Sequence, residues 1–301
     1  MTVSNRALSI GAFSTLMLVA LMMGANHVAA RIAFNNGVDV ATAVVFRSVV
    51  TTLVIAALLF VQRVPIAFNA RHRRYLPVIG LLVGVQSLCL YSAVARLPVA
   101  LALLAFNTYP LWTALWAALI YRRPPERAVL LAMPVILLGL ALALDVLGAA
   151  SGLGAADQWS RIGIGVIFAL AAGATFGAAL VFTQHEVADI DGRVRTATTL
   201  GLAGAIALGS VAVQGGFHFP DAAAGWWGLA ALTFLYGTAF TIMFTVLPRL
   251  GVVGNSAIMN VEPVFALVLA WLILGQAIAP VQVAGALLVV GTVMALGLRR
   301  R

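Results

Sequence analysis

The sequence contains no lysine, one cysteine and only nine acidic residues among its 301. Each shortage excludes something. Cys89 stands alone inside an apolar run, so no intramolecular disulfide forms. Charged residues make up 9% of the chain and hydrophobic ones 63%, with a mean hydropathy of +1.07. Soluble domains carry roughly 25% charged residues, so this chain cannot cover itself with a wetted surface. It has no stretch that would form a separate soluble domain. It lacks the GxxxxGK[ST] phosphate loop, which excludes an ATP-driven pump built from this chain alone. It also lacks HExxH, GxSxG and DxxxD patterns. One acid deep in an apolar segment cannot hold a divalent metal unaided, so neither an enzyme, a metal nor a cofactor is expected.

What is present is apolar length. A spanning helix needs about 20 mostly apolar residues. Ten segments qualify, at 7–30, 40–61, 76–96, 98–121, 127–148, 161–185, 195–215, 226–248, 252–274 and 279–298. The first ends on the cleavage-like Val28-Ala29-Ala30, but its apolar stretch exceeds the roughly 7–15 residues of a signal peptide core. It reads as a retained span. Net charge is +9, carried by 18 arginines. Their grouping between apolar runs fits a bilayer surface rather than nucleic acid.

Arginine asymmetry sets orientation. With the N-terminus inside, fourteen arginines fall on the cytoplasmic side: Arg6, Arg63, Arg71, Arg73, Arg74, Arg122, Arg123, Arg127, Arg193, Arg195, Arg249 and Arg299 to Arg301. Arg31, Arg96 and Arg161 fall outside, and Arg47 lies within the second span. Both termini are therefore expected in the cytoplasm, with the protein in the inner (cytoplasmic) membrane. His218, Trp226 and Trp227 suit the headgroup belt.

The chain repeats itself. Residues 91–121 slide onto 244–274 without a gap, placing Arg96 on Arg249, Asn107 on Asn260 and Pro110 on Pro263. "ALMMGANHVAA" (20–30) lies over "ALAAGATFGAA" (169–179), aligning Gly24 with Gly173. Each copy holds five spans, an odd number, so the second enters the membrane from the opposite side. The expected fold is an all-α polytopic membrane protein of ten transmembrane helices in two inverted five-helix repeats. Residues 1–148 would form the first repeat, 149–160 an outer connecting loop and 161–301 the second repeat. Inverted repeats of this kind serve alternating access around a midplane site.

The arrangement resembles the drug/metabolite transporter superfamily, and within it the EamA-type group. The resemblance rests on Arg47 early in the second span, a proline amid the fourth and ninth spans, and Glu262-Pro263 followed by an apolar run ending in "LILGQ". Two positions depart from the family's pattern. Tyr109 stands where an acid often precedes the proline, and Met23-Gly24 where Trp-Gly is common. The resemblance implies export of small metabolites, often amino acids, including aromatic ones, or of drugs. No obligate protein partner is implied.

Candidate site residues follow from what an apolar span tolerates. Pro110 and Pro263 deprive the carbonyls of Phe106 and Met259 of their helical partners. Asn107 and Asn260, one turn upstream, are placed to satisfy such groups or to meet substrate. Asn107 and Pro110 lie about 60° apart on one stripe, whereas Tyr109, Trp112 and Trp116 form another. In the second copy that stripe reads Glu262, Phe265 and Leu269, and either stripe can face a cavity. Arg47 and Glu262 are the charges deepest in spans, where ionisable groups mark function. They are tolerated by pairing together or by meeting something that crosses. Glu262 is the candidate proton carrier, beside His27. Asn26, His27 and Gln86 complete the polar candidates, with Tyr91 a lesser one. His27 and Arg31, four apart, share a face. Gly80/Gly84 and Gly173/Gly177 read as packing positions.

Overall fold

The computed structural model describes residues 10–123, 127–245, 261–276 and 278–299. They form eleven helices and, among the described residues, no strand: α1 (Ile10–Phe34), α2 (Val40–Val61), α3 (Ala70–Arg96), α4 (Val99–Phe106), α5 (Tyr109–Tyr121), α6 (Arg127–Ala143), α7 (Ala155–Glu186), α8 (Gly192–Val213), α9 (Ala223–Thr245), α10 (Glu262–Leu274) and α11 (Pro280–Arg299). The eleven helices supply ten spans. Helices α4 and α5 are halves of one span, Val99–Tyr121, broken at Asn107-Thr108. Seven segments are long and apolar enough to cross a bilayer, and α6, α10 and α11 are shorter apolar helices. Helix α7 begins at Ala155, inside the stretch read as the outer connecting loop. Large apolar side chains such as Leu131, Trp271 and Leu272 point outward, as a lipid-facing surface requires.

Local chemistry sets the ends. Asp39 caps α2 by accepting from the Thr42 amide at 2.9 Å. Asn69 and His72 cap α3 reciprocally, each side chain accepting from the other's amide. Asp191 caps α8 through the Arg193 amide at 2.8 Å. These side chains satisfy donors that a helix start leaves orphaned.

The packing has two-fold character. Helix α1 packs on α9 and α10, as α7 packs on α3 and α5; α2 packs on α8, α6 on α11 and α4 on α10. The α2–α8 pair shows the inversion directly. Gln214, just past the end of α8, donates to Asp39 at the start of α2 at 2.7 Å. At the opposite end, Arg193 near the start of α8 donates to Gln62, just past the end of α2. The two helices therefore run antiparallel, cap against cap. Glycine permits the closest crossings. A methyl group on Gly285 would lie 2.6 Å from the Ala143 nitrogen of α6. Gly80 and Gly84 of α3 meet Leu202, Ala203 and Ile206 of α8, so they serve packing within the bundle.

Candidate functional site

Helix α2 carries Arg47 into the bundle, where the residue is only 2% exposed. Its guanidinium carbon lies 4.2 Å from the ring centroid of Tyr91 on α3 and 4.2 Å from that of Tyr236 on α9. A desolvated cation over an aromatic face gains about 2 kcal/mol, so two rings offset part of the cost of burying this charge. Among the described residues no carboxylate lies within ion-pair distance of Arg47, and its Nε has no hydrogen-bond partner. Direct pairing of Arg47 with Glu262, one of the two ways such charges could be tolerated, is not realised.

Glu262 pairs with His27 instead, Oε1 to Nε2 at 3.2 Å. Gly24 makes this possible. A methyl there would lie 3.0 Å from the Ala266 nitrogen and 3.1 Å from the Glu262 carbonyl oxygen, so glycine eases the close approach of α1 to the start of α10. His27 lies three residues on, on the same helix face. Its Nδ1 is buried without a partner among the described residues. The carboxylate also sits in the first turn of α10, where the helix dipole favours an anion.

Tyr91 links the two charges. Its hydroxyl donates to Asn26 Oδ1 at 2.8 Å, and its ring meets His27 edge-on at 5.7 Å. Among the described residues Asn26 Nδ2 is left without a partner. The buried hydroxyls of Ser48 and Thr51 on α2, beside Arg47, also lack one. Serines and threonines elsewhere, including Thr113, Thr198 and Thr233, bond back to their own helix four residues away.

The first repeat's break is built differently. Asn107 turns back on its own helix, donating from Nδ2 to the Leu103 carbonyl at 2.9 Å, and Thr108 donates to Ala105 at 2.8 Å. Asn107 is therefore spent on its own helix end, at Leu103 rather than at Phe106. Pro110 occupies the first turn of α5, where a missing donor costs least. Gly173 of α7 approaches this break as Gly24 approaches α10, with a methyl there 3.1 Å from the Phe106 carbonyl. The Phe106, Tyr109 and Phe176 rings cluster with centroids 5.1 to 5.6 Å apart. Trp112 lies against Gly177, and Trp116 donates to the Ala174 carbonyl at 2.9 Å. The Trp112–Trp116 stripe thus faces α7.

The structure brings Asn26, His27, Arg47 and Glu262 into one polar centre, joined by Tyr91. Gln86 is buried, and its Oε1 accepts from Ser87 at 3.3 Å without joining the centre. Pro263 lines an apolar cleft with Leu101, Leu104 and Leu287. Asn260 lies outside the described residues. Arg31 leaves the face it shares with His27, donating to the Val94 and Leu97 carbonyls at 2.6 and 3.3 Å. The residue that sequence reasoning missed is Tyr236. Its signal was a lone tyrosine in an otherwise apolar eighth span.

The model of the EamA-like transporter family matches residues 10–144 and 163–298 of this chain. No curated protein matches it in sequence. A solved structure titled "Crystal structure of protein" superposes with a TM-score of 0.63 at 19% identity, over 97% of this chain and 98% of that one. That likeness is one of fold.

Proposed function

The chain belongs to the EamA-like transporter family, and on that premise we propose that it exports small carboxylate-bearing metabolites, amino acids foremost, across the cytoplasmic membrane. The observation that carries this reading is Arg47. A buried guanidinium with two aromatic faces, no carboxylate partner among the described residues and an unpartnered Nε is suited to an anion that arrives and leaves. The unpartnered Asn26 Nδ2 nearby supplies a further donor. Glu262, paired with His27, offers the opposite charge, either to a substrate ammonium or to a coupled proton. Access alternates between repeats 1–148 and 161–301, and both termini face the cytoplasm, in line with the arginine distribution.

A second reading, a permease for drugs or other metabolites, draws support from the aromatic cluster of Phe106, Tyr109 and Phe176. Counterflow into proteoliposomes separates the two. Under the first reading, Arg47→Gln abolishes amino-acid counterflow while the protein stays folded. Arg47→Lys recovers little, because lysine lacks the planar fork that grips a carboxylate twice. Uptake of cationic drugs by both variants at the parent rate, with no amino-acid flux in the parent, establishes the second reading.

A further inference from the structure

The two ends of the bundle are built to one plan. Helix α5 ends at Tyr121, followed by Arg122 in the left-handed conformation (φ 54°), whose amide returns to the Ala117 carbonyl. Helix α10 ends at Leu274, followed by Gly275 at φ 64°, whose amide returns to the Ala270 carbonyl. Tyr121 and Leu274 are thus equivalent. Helices α7 and α1 end at Glu186 and Phe34, each five residues before the aspartate that caps the next helix, Asp191 or Asp39. Glu186 and Phe34 are equivalent as well.

The chemistry at these matched places differs. The Tyr121 hydroxyl donates to the Glu186 carboxylate, and the Tyr121 ring stacks on His185 at 4.1 Å and 13°. The loop that follows extends the tie to α3: Asp189 accepts from Arg71 at 3.2 Å and meets His72 Nε2 at 3.0 Å. At the other end Leu274 and Phe34 pack into the apolar core. There α10 is joined to α4 by Gln276, whose Oε1 accepts from the Val99 amide at 3.0 Å. The α1–α3 join is Arg31 on backbone carbonyls.

The geometry points to the Tyr121–Glu186 bond as a latch holding the bundle shut at the α5/α7 end, whereas the matched Leu274 and Phe34 at the other end carry apolar side chains. Opening at the Tyr121 end requires this charge-assisted bond to break. Opening at the Leu274 end separates apolar side chains alone at the matched place. This bond therefore favours closure at the Tyr121 end. The inference rests on the transporter reading, but its test uses neither substrate nor flux. Failure of the carboxylate reading would leave it standing, and its own failure would leave that reading untouched.

The test is thiol reactivity in purified protein carrying Cys89→Ser. Ala117→Cys, one turn before Tyr121, reports on the latched end, and the matching Ala270→Cys reports on the other. Tyr121→Phe should raise labelling of the first reporter by a charged maleimide roughly ten-fold, the shift that about 1.4 kcal/mol produces. Glu186→Leu should do the same, and the two together no more, because they remove one bond. The Ala270→Cys reporter should show no rise in either variant. Unchanged labelling at the first reporter in both variants would overturn the latch. An equal rise at both reporters would overturn it too, since that is general loosening.

Discussion

The two proline-led helix starts in this molecule, α5 and α10, share a backbone and differ in chemistry. Where α10 begins, Glu262 precedes the proline, with His27 of α1 against it. Where α5 begins, Tyr109 precedes the proline, with Phe176 of α7 against it. Gly24 and Gly173 bring the neighbouring helix equally close in both places. Duplication has preserved the crossing and allowed the side chains around it to diverge. One half became polar and ionisable, the other aromatic.

The comparison breaks most readily at its shared part. Gly24→Val and Gly173→Val each drive side-chain carbon into backbone. Overpacking of this kind costs about 1–3 kcal/mol, so both should lower the thermal midpoint of purified protein by similar amounts. If only one variant is destabilised, the two crossings are not equivalent. The side chains should separate the halves. Glu262→Gln leaves His27 facing a neutral partner, and the loss expected for a charged hydrogen bond is about 1.5 kcal/mol. It should also remove any pH-gradient dependence of flux. Phe176→Leu gives up ring contacts worth about 1 kcal/mol and should leave pH dependence intact. If Phe176→Leu abolished pH dependence instead, the assignment of a polar and an aromatic half would fail.

The smallest effect lies outside the spans. Burial alone would raise the Asp39 carboxyl, but bonds from the Thr42 hydroxyl and amide, the Gln214 amide group and the His218 amide outweigh it and hold the pKa below the ordinary aspartate value. A carboxyl depressed in the folded state stabilises fully above the unfolded value, about 3.9. It loses that contribution as pH falls through the folded value. Asp39→Asn should thus still lower the thermal midpoint slightly at pH 5. The two proteins should converge only below about pH 4. A difference that vanished by pH 5 would show that Asp39 is not held in this way.

Much of the fold was legible in the sequence because a bilayer demands long apolar runs, and these are countable. The repeat was legible through Asn107, Pro110, Asn260 and Pro263, residues that apolar drift does not produce by chance. The break at 107–108 followed from proline chemistry. The partners of the charges were not legible. In a span both the lipid face and the core face are apolar, so periodicity does not reveal which way Arg47 or Glu262 points. His27 reaches Glu262 where Gly24 lets α1 lie close on α10, a contact between helices more than 200 residues apart in sequence. Tyr236 escaped notice for the same reason. The start of α7 at Ala155 was hidden by Asp157 and Gln158, polar residues that read as loop.

The central claim is that Arg47 receives a carboxylate. Its most direct test is the thermal midpoint of purified protein in the presence of a panel of amino acids and, in parallel, of their amides, which keep the ammonium and side chain but lack the carboxylate. The account predicts that at least one amino acid raises the midpoint of the parent protein, that its amide does not, and that Arg47→Gln responds to neither. Equal stabilisation by acid and amide, or an undiminished response in Arg47→Gln, would contradict it.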